Sequence, residues 1–124
     1  MKDFGELIYT PEKASGEAIT KVESHTPKIE CPERVKAGEE FRLKIFVGPH
    51  PNTVQHSIRY IEVFFYEEGR VFNPITLAKI DMSPEYVEPN ISLSLKLNKS
   101  GVIYVIEYCN LHGLWEARRE IKVV

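Results

Sequence analysis

The sequence predicts an all-β fold, an immunoglobulin-like antiparallel β-sandwich of about seven strands. Short runs rich in β-branched and aromatic residues recur along the chain. Turn residues separate these runs at short intervals, and no segment sustains the period of a long helix.

Taken in order, residues 1–24 form an N-terminal extension within a single domain spanning 1–124. Phe4, Leu7, Ile8 and Tyr9 suit a short amphipathic turn that docks on the body, and residues 11–17 read as loop. Pro27 pushes Thr26 toward extended backbone, which argues against a helix through His25. Residues 28–31 are short and extended, stopped by Pro32, and Ala37-Gly38 is a turn. Phe41, Leu43, Ile45 and Val47 alternate with Arg42 and Lys44 as in a half-buried strand, which Gly48-Pro49 ends. Residues 50–56 are a loop around a Pro51-Asn52 turn. Residues 58–67 are apolar on both faces, as in a central strand. Residues 71–82 are strand-like but broken by Asn73-Pro74, which suits an edge or a crossover. Loop 83–89 precedes an alternating strand with Ile91, Leu93, Leu95 and Leu97 on one face. Asn98-Lys99-Ser100-Gly101 reads as a hairpin turn, and residues 102–109 and 115–124 as the last two strands.

The composition excludes several classes. A chain of 124 residues is long enough for one core without staples. Its net charge of −2 gives no basic footprint for nucleic acid. No apolar run reaches the roughly 18 residues of a membrane span. Lys2, Asp3 and Glu6 make the first residues unlike a signal peptide. Two cysteines in different surroundings do not suggest a disulfide framework, and a cytoplasmic location would keep both reduced.

The chemistry concentrates in Cys109-Asn110-Leu111-His112-Gly113-Leu114-Trp115, which holds a thiolate donor and an imidazole donor three residues apart. The other histidines are His25, His50 and His56. All four histidines fall in expected loops or at strand ends, and loops at one end of a sandwich cluster in space. Cys31 has no donor near it in sequence and reads as a structural thiol. Two other readings of the chain are a blue-copper-like electron carrier and a non-catalytic β-sandwich binding module. Copper of that type uses two histidines, a cysteine and usually an axial methionine, and neither Met1 nor Met82 follows His112. A structural zinc site uses four ligands, fewer than the five donors available.

Glu23-Ser24-His25-Thr26-Pro27, His50-Pro51-Asn52-Thr53 with His56, Ile58 and Arg59, and Cys109-Asn110 with His112-Gly113-Leu114-Trp115 resemble the superoxide reductase family, in particular its one-iron, neelaredoxin-type class. The cysteine-rich module of the two-iron class is absent, because Cys31 and Cys109 are the only cysteines. The resemblance implies one mononuclear iron held by His25, His50, His56 and His112 in a plane, with Cys109 axial and a sixth position open. It implies one-electron reduction of superoxide to hydrogen peroxide without oxygen release. A rubredoxin-like electron donor and a homotetramer are further family expectations. A thiolate opposite the open position would push electron density toward it, as in thiolate haems. Backbone amides of Leu111 and His112 are expected to tune the sulfur. Ser24 stands where the family usually has a lysine that steers superoxide and assists protonation. Glu23 and Lys21 are therefore the candidate catalytic residues, Lys21 as the nearest cation in sequence.

Overall fold

The computed structural model describes residues 1–124. Eight strands make up the fold: β1 (Lys28–Glu30), β2 (Arg34–Val35), β3 (Phe41–Phe46), β4 (Ile58–Glu67), β5 (Ile75–Asp81), β6 (Asn90–Leu95), β7 (Gly101–Cys109) and β8 (Gly113–Val123). They form two sheets, one ordered β1-β3-β6 and the other β2-β8-β7-β4-β5. Pairing is antiparallel except between β2 and β8. The expected all-β sandwich is present, and no helix is long and apolar enough to cross a membrane.

The core lies between the sheets. Strand side chains alternate in direction, so Leu43 and Ile45 of β3 face Ile61, Val63 and Phe65 of β4 and Ile103 and Val105 of β7. The second apolar face of β4 is explained by aromatic pairing on the outside of the sheet. There Tyr60 stacks on Tyr108 with ring centroids 5.4 Å apart. The middle strand is β7, and β4 lies one place from the edge. β5 takes that edge and begins directly after Pro74, which has no N–H for a ladder.

Three expectations change. Residues 98–101 do not close a hairpin: β6 pairs only with β3, while both edges of β7 are filled by β4 and β8. The turn carries the chain from one sheet to the other. Gly101 makes that crossing possible, because a Cβ there would lie 1.8 Å from the Tyr66 carbonyl oxygen and 2.9 Å from the Phe65 ring. β2 was not expected; it is two residues long, too short for any periodicity to reveal it. The segment before β1 is also more helical than expected. A 3-10 segment (Gly16–Lys21) runs into a short helix, α1 (Val22–His25), which includes His25. The steric effect of Pro27 falls on Thr26 alone, and Thr26 is extended with φ −69° and ψ 123°.

At the N-terminus a 3-10 turn (Phe4–Leu7) leads to buried Ile8 and to Tyr9, which forms a parallel bridge with Trp115. The Tyr9 amide donates to the Leu114 carbonyl at 2.9 Å, and the Glu116 amide donates to the Tyr9 carbonyl at 2.9 Å.

Gly101→Ala is expected to destabilise the fold by about 3 kcal/mol or more, since backbone rather than a mobile side chain blocks the new methyl group. The urea midpoint against wild type measures this, and an unchanged midpoint would show that the crossing tolerates a side chain.

Candidate metal centre

Three connections converge at one place. His25, His50, His56, Cys109 and His112 each offer one donor atom, and these atoms lie within 4.8 Å of one another. These are the five ligands the sequence suggested. Cys31 lies apart from them, half-buried against the core, with burial pushing its thiol pKa up.

His25 ends α1 and is buried. Its Nδ1 lies 3.0 Å from the Lys21 carbonyl and 2.8 Å from Ser24 Oγ. A carbonyl can only accept, so Nδ1 carries the proton and Nε2 carries a lone pair. Lys28 Nζ fixes this segment by donating to the Glu23 carbonyl at 2.7 Å and to the Gly48 carbonyl at 2.9 Å. His50 follows the same logic: its Nδ1 donates to the Pro51 carbonyl at 2.7 Å, leaving a lone pair on Nε2.

The loop from His50 to His56 folds back on itself. Thr53 and His56 exchange backbone hydrogen bonds of 3.0 and 3.2 Å, and Thr53 Oγ1 accepts the His56 amide at 3.0 Å. Asn52 pins the loop to residues 83–89: its Oδ1 accepts the Glu85 amide at 2.8 Å, and its Nδ2 reaches the Glu88 carboxylate at 3.1 Å.

The Cys109–Trp115 stretch is tighter than the loop expected from sequence. Cys109 ends β7 and pairs directly with Gly113 at the start of β8, so Asn110, Leu111 and His112 alone close the hairpin. Gly113 has φ +83°, the left-handed position that such hairpin loops need. Asn110 braces this hairpin to the other ligand loop. Its Oδ1 accepts the Ser57 amide at 2.9 Å, and its Nδ2 donates to the Gln55 carbonyl at 2.8 Å. The Trp115 indole N–H donates to the His112 carbonyl at 3.0 Å.

The four imidazoles form a closed square. Neighbouring rings meet edge to face in the order His25, His50, His56, His112 and back to His25, with centroids 4.6 to 5.1 Å apart. The sulfur approaches from outside the ring order, with Cys109 Sγ 3.5 Å from His50 Nε2 and 3.7 Å from His112 Nδ1. The fit to a cation follows from proton accounting. His25 Nε2 lies 3.2 Å from His50 Nε2, and both bear lone pairs. Two acceptors at that distance repel, unless a cation sits between them. His56 Nε2 is buried with no hydrogen-bond partner. Bonds of about 2.1 Å from one ion would set adjacent nitrogens about 3 Å apart, close to what is seen. Five donors of imidazole and thiolate type suit iron and leave one place of an octahedron.

Electrostatics favour neutral, metal-ready imidazoles. Burial lowers the pKa of His25 to about 4, with His50 adding to the shift and the Lys21 carbonyl opposing it. Burial also lowers His50 and His56. The Cys109 thiol is raised by burial, while the backbone amides of Leu111 and His112 act on the sulfur in the opposite direction, as expected from sequence. Glu107 is fully buried, and neither carboxyl oxygen has a partner. Burial raises its pKa to about 9, so it adds no full negative charge beside the sulfur at neutral pH.

Lys21 is one helical turn before His25. It lines a cavity of about 520 Å³ with Tyr9, Glu17, His112 and Trp115, and its charge contributes to lowering the His56 pKa. Glu23 is exposed on α1, and its carbonyl accepts Lys28. The bracing by Asn110 and Lys28 and the buried Glu107 were missed from sequence. Glu107 left a trace: it occupies an inward position in the alternation Ile103, Val105, Glu107, Cys109, where a carboxyl is out of place.

A family model described as Desulfoferrodoxin matches residues 17–118. A superoxide reductase from Pyrococcus furiosus is 39% identical over 111 residues, covering 77% of this chain and 86% of its own length. A neelaredoxin from Megalodesulfovibrio gigas is 31% identical over 116 residues, covering 82% of this chain and 88% of its own. A solved superoxide reductase (neelaredoxin) from Ignicoccus hospitalis is 63% identical and superposes with a TM-score of 0.93, covering 99% of this chain and 100% of that one.

Asn110→Ala removes the brace between the two ligand loops and leaves every donor in place. Metal affinity is expected to fall about 10- to 100-fold, measured by competition with a chelator, with the circular dichroism of the sheets unchanged. Undiminished affinity would mean that the hairpin holds its place without the amide.

Proposed function

We infer the activity from one premise: the chain belongs to the desulfoferrodoxin family and, within it, to the one-iron superoxide reductases. It is an oxidoreductase that acts on superoxide, reducing it to hydrogen peroxide with one electron and two protons and releasing no oxygen. Its cofactor is one mononuclear non-haem iron. The observation that carries this reading is the square of four imidazoles with a thiolate beside it, whose facing lone pairs call for a cation. When bound, the iron supplies the single electron by cycling between its ferrous and ferric states.

In this reading His25, His50, His56, His112 and Cys109 would together hold the iron. The carbonyls of Lys21 and Pro51 hold two of the imidazoles in the tautomer that presents Nε2. The amides of Leu111 and His112 temper the electron donation of the sulfur. Lys21 would attract the anionic substrate and take the place of the lysine that Ser24 replaces. Glu23, exposed on α1 two residues before His25, would be the carboxylate that serves the site.

For partners, a one-electron donor is required, and a rubredoxin-like protein is the donor we propose. A homo-oligomer, a tetramer by family resemblance, is supported by the apolar hollow that Phe64, Tyr66, Tyr104 and Ile106 line on the outer sheet face. Cytoplasmic placement accords with two free thiols, Cys31 and Cys109.

The assignment is tested by Cys109→Ser, which should keep part of its iron but lose the thiolate-to-iron charge-transfer band and most of the superoxide reduction rate. Cys31→Ser should match wild type in iron content and rate; the reverse pattern would name the wrong thiol. The role of Lys21 is tested by pulse radiolysis across ionic strength. Lys21→Ala should lower the second-order rate, within the roughly 10- to 1,000-fold range of electrostatic steering, and flatten its salt dependence. Ser24→Lys in that background should restore both. Equal rates and slopes for wild type and Lys21→Ala would remove Lys21 from the mechanism.

A further inference from the structure

A stack of aromatic rings connects the metal centre to solvent. The His25 ring lies against Trp115 with centroids 5.4 Å apart and planes tilted by 38°. Trp115 stacks on Tyr9 at 4.8 Å and 25°. Both spacings are those of rings in van der Waals contact. Only the outer end is exposed: His25 is 2% and Trp115 1% accessible, against 38% for Tyr9. The stack is held from several sides. The parallel bridge fixes the Tyr9 backbone, and the indole N–H is tied to the His112 carbonyl. Tyr9 also borders the cavity shared with Lys21 and Glu17, and its exposure gives the side chain access to water.

We propose that Tyr9, Trp115 and His25 form a one-electron relay that discharges oxidising equivalents from the metal centre to the surface when its own product, hydrogen peroxide, reacts there. The relay rests on the iron site of the preceding section. Peroxide that meets the iron after the electron donor has returned it to the ferrous state can have its O–O bond cleaved, and the nearest oxidisable groups are then the Cys109 sulfur and the imidazole ligands. The indole and phenol offer a competing source of electrons. In the balanced step one hydrogen peroxide takes one electron from ferrous iron and one from Tyr9 by way of Trp115. It takes one proton from the phenol and one from solvent. The O–O bond and the phenol O–H bond break, and two waters, ferric iron and a tyrosyl radical result. The electron donor that serves turnover returns Tyr9 to its phenol with one electron and one proton.

A second aromatic pair provides an internal comparison. Tyr60 and Tyr108 stack at 5.4 Å on the outer sheet face. Tyr108 adjoins Cys109 in sequence, but successive strand side chains point to opposite faces, and neither tyrosine stacks on a ligand ring. The relay therefore selects Tyr9 among six tyrosines.

The test uses the iron-loaded protein, with iron content and visible spectrum recorded first. Reduced protein is mixed with hydrogen peroxide, freeze-quenched and examined by electron paramagnetic resonance. A tyrosyl signal is expected in wild type, and its loss in Tyr9→Phe, which keeps the stacked ring but has no phenol proton. Oxidation of Trp115, His25 and Cys109, read by peptide mass spectrometry after repeated peroxide exposure, should rise in that variant. Its superoxide reduction rate before exposure should equal wild type. Trp115→Phe should lose the signal with Tyr9 intact. No organic radical in iron-loaded wild type, or an equal signal in Tyr9→Phe, overturns the relay. Failure to take up iron at all would refute the site reading instead, and is seen before peroxide is added.

Discussion

Two imidazole nitrogens with their lone pairs facing across 3.2 Å repel each other, and the loops of this sandwich are built to keep them there. Each nitrogen is committed to that position by a hydrogen bond on the far side of its ring, to the carbonyls of Lys21 and Pro51. The remaining donors close the square and add the sulfur. The arrangement is one that only a shared cation makes favourable. With one, the same geometry becomes five favourable bonds. The hydrogen bonds on the far sides of the rings set their tautomers and orientations, as a shared cation requires.

The bracing that sustains this is mostly amide chemistry. Asn52 ties the His50–His56 loop to residues 83–89, and Asn110 ties the hairpin to the same loop from the opposite side. Asparagine suits these places because one side chain both donates and accepts. Lys28 plays the corresponding part for α1, holding it to Gly48 just before the second ligand. None of these residues offers an atom to the metal.

Much of this was legible in the chain. The alternation of Phe41 to Val47 located β3, and the β formers of residues 58–67 located β4, because burial on one or both faces writes a clear pattern. The donor set was legible because histidine is scarce here and every copy falls at a turn or an element end. What the sequence concealed depended on contacts remote in sequence. The turn at residues 98–101 looks locally like a hairpin, and only the filled edges of β7 send it to the other sheet. β2 exists because β8 offers it a free edge. Asn110 reads as an ordinary turn residue until Ser57 and Gln55 are placed beside it, and the Tyr9 ring acquires its neighbours only through the bridge to Trp115.

The position of β8 bears on how the site is assembled. β8 is the last strand in the chain, yet it lies inside its sheet, between β2 and β7. The segment after Cys109 therefore enters a slot flanked by strands that precede it in sequence. The hairpin that carries Cys109 and His112 closes only when that segment is inserted. His25, His50 and His56 lie outside that hairpin, as three imidazoles with no thiolate. The complete donor set comes into being only once β8 has paired with β7, so assembly of the site is coupled to that strand pairing. The strand that follows the last donor in sequence is thus the one whose docking completes the donor set.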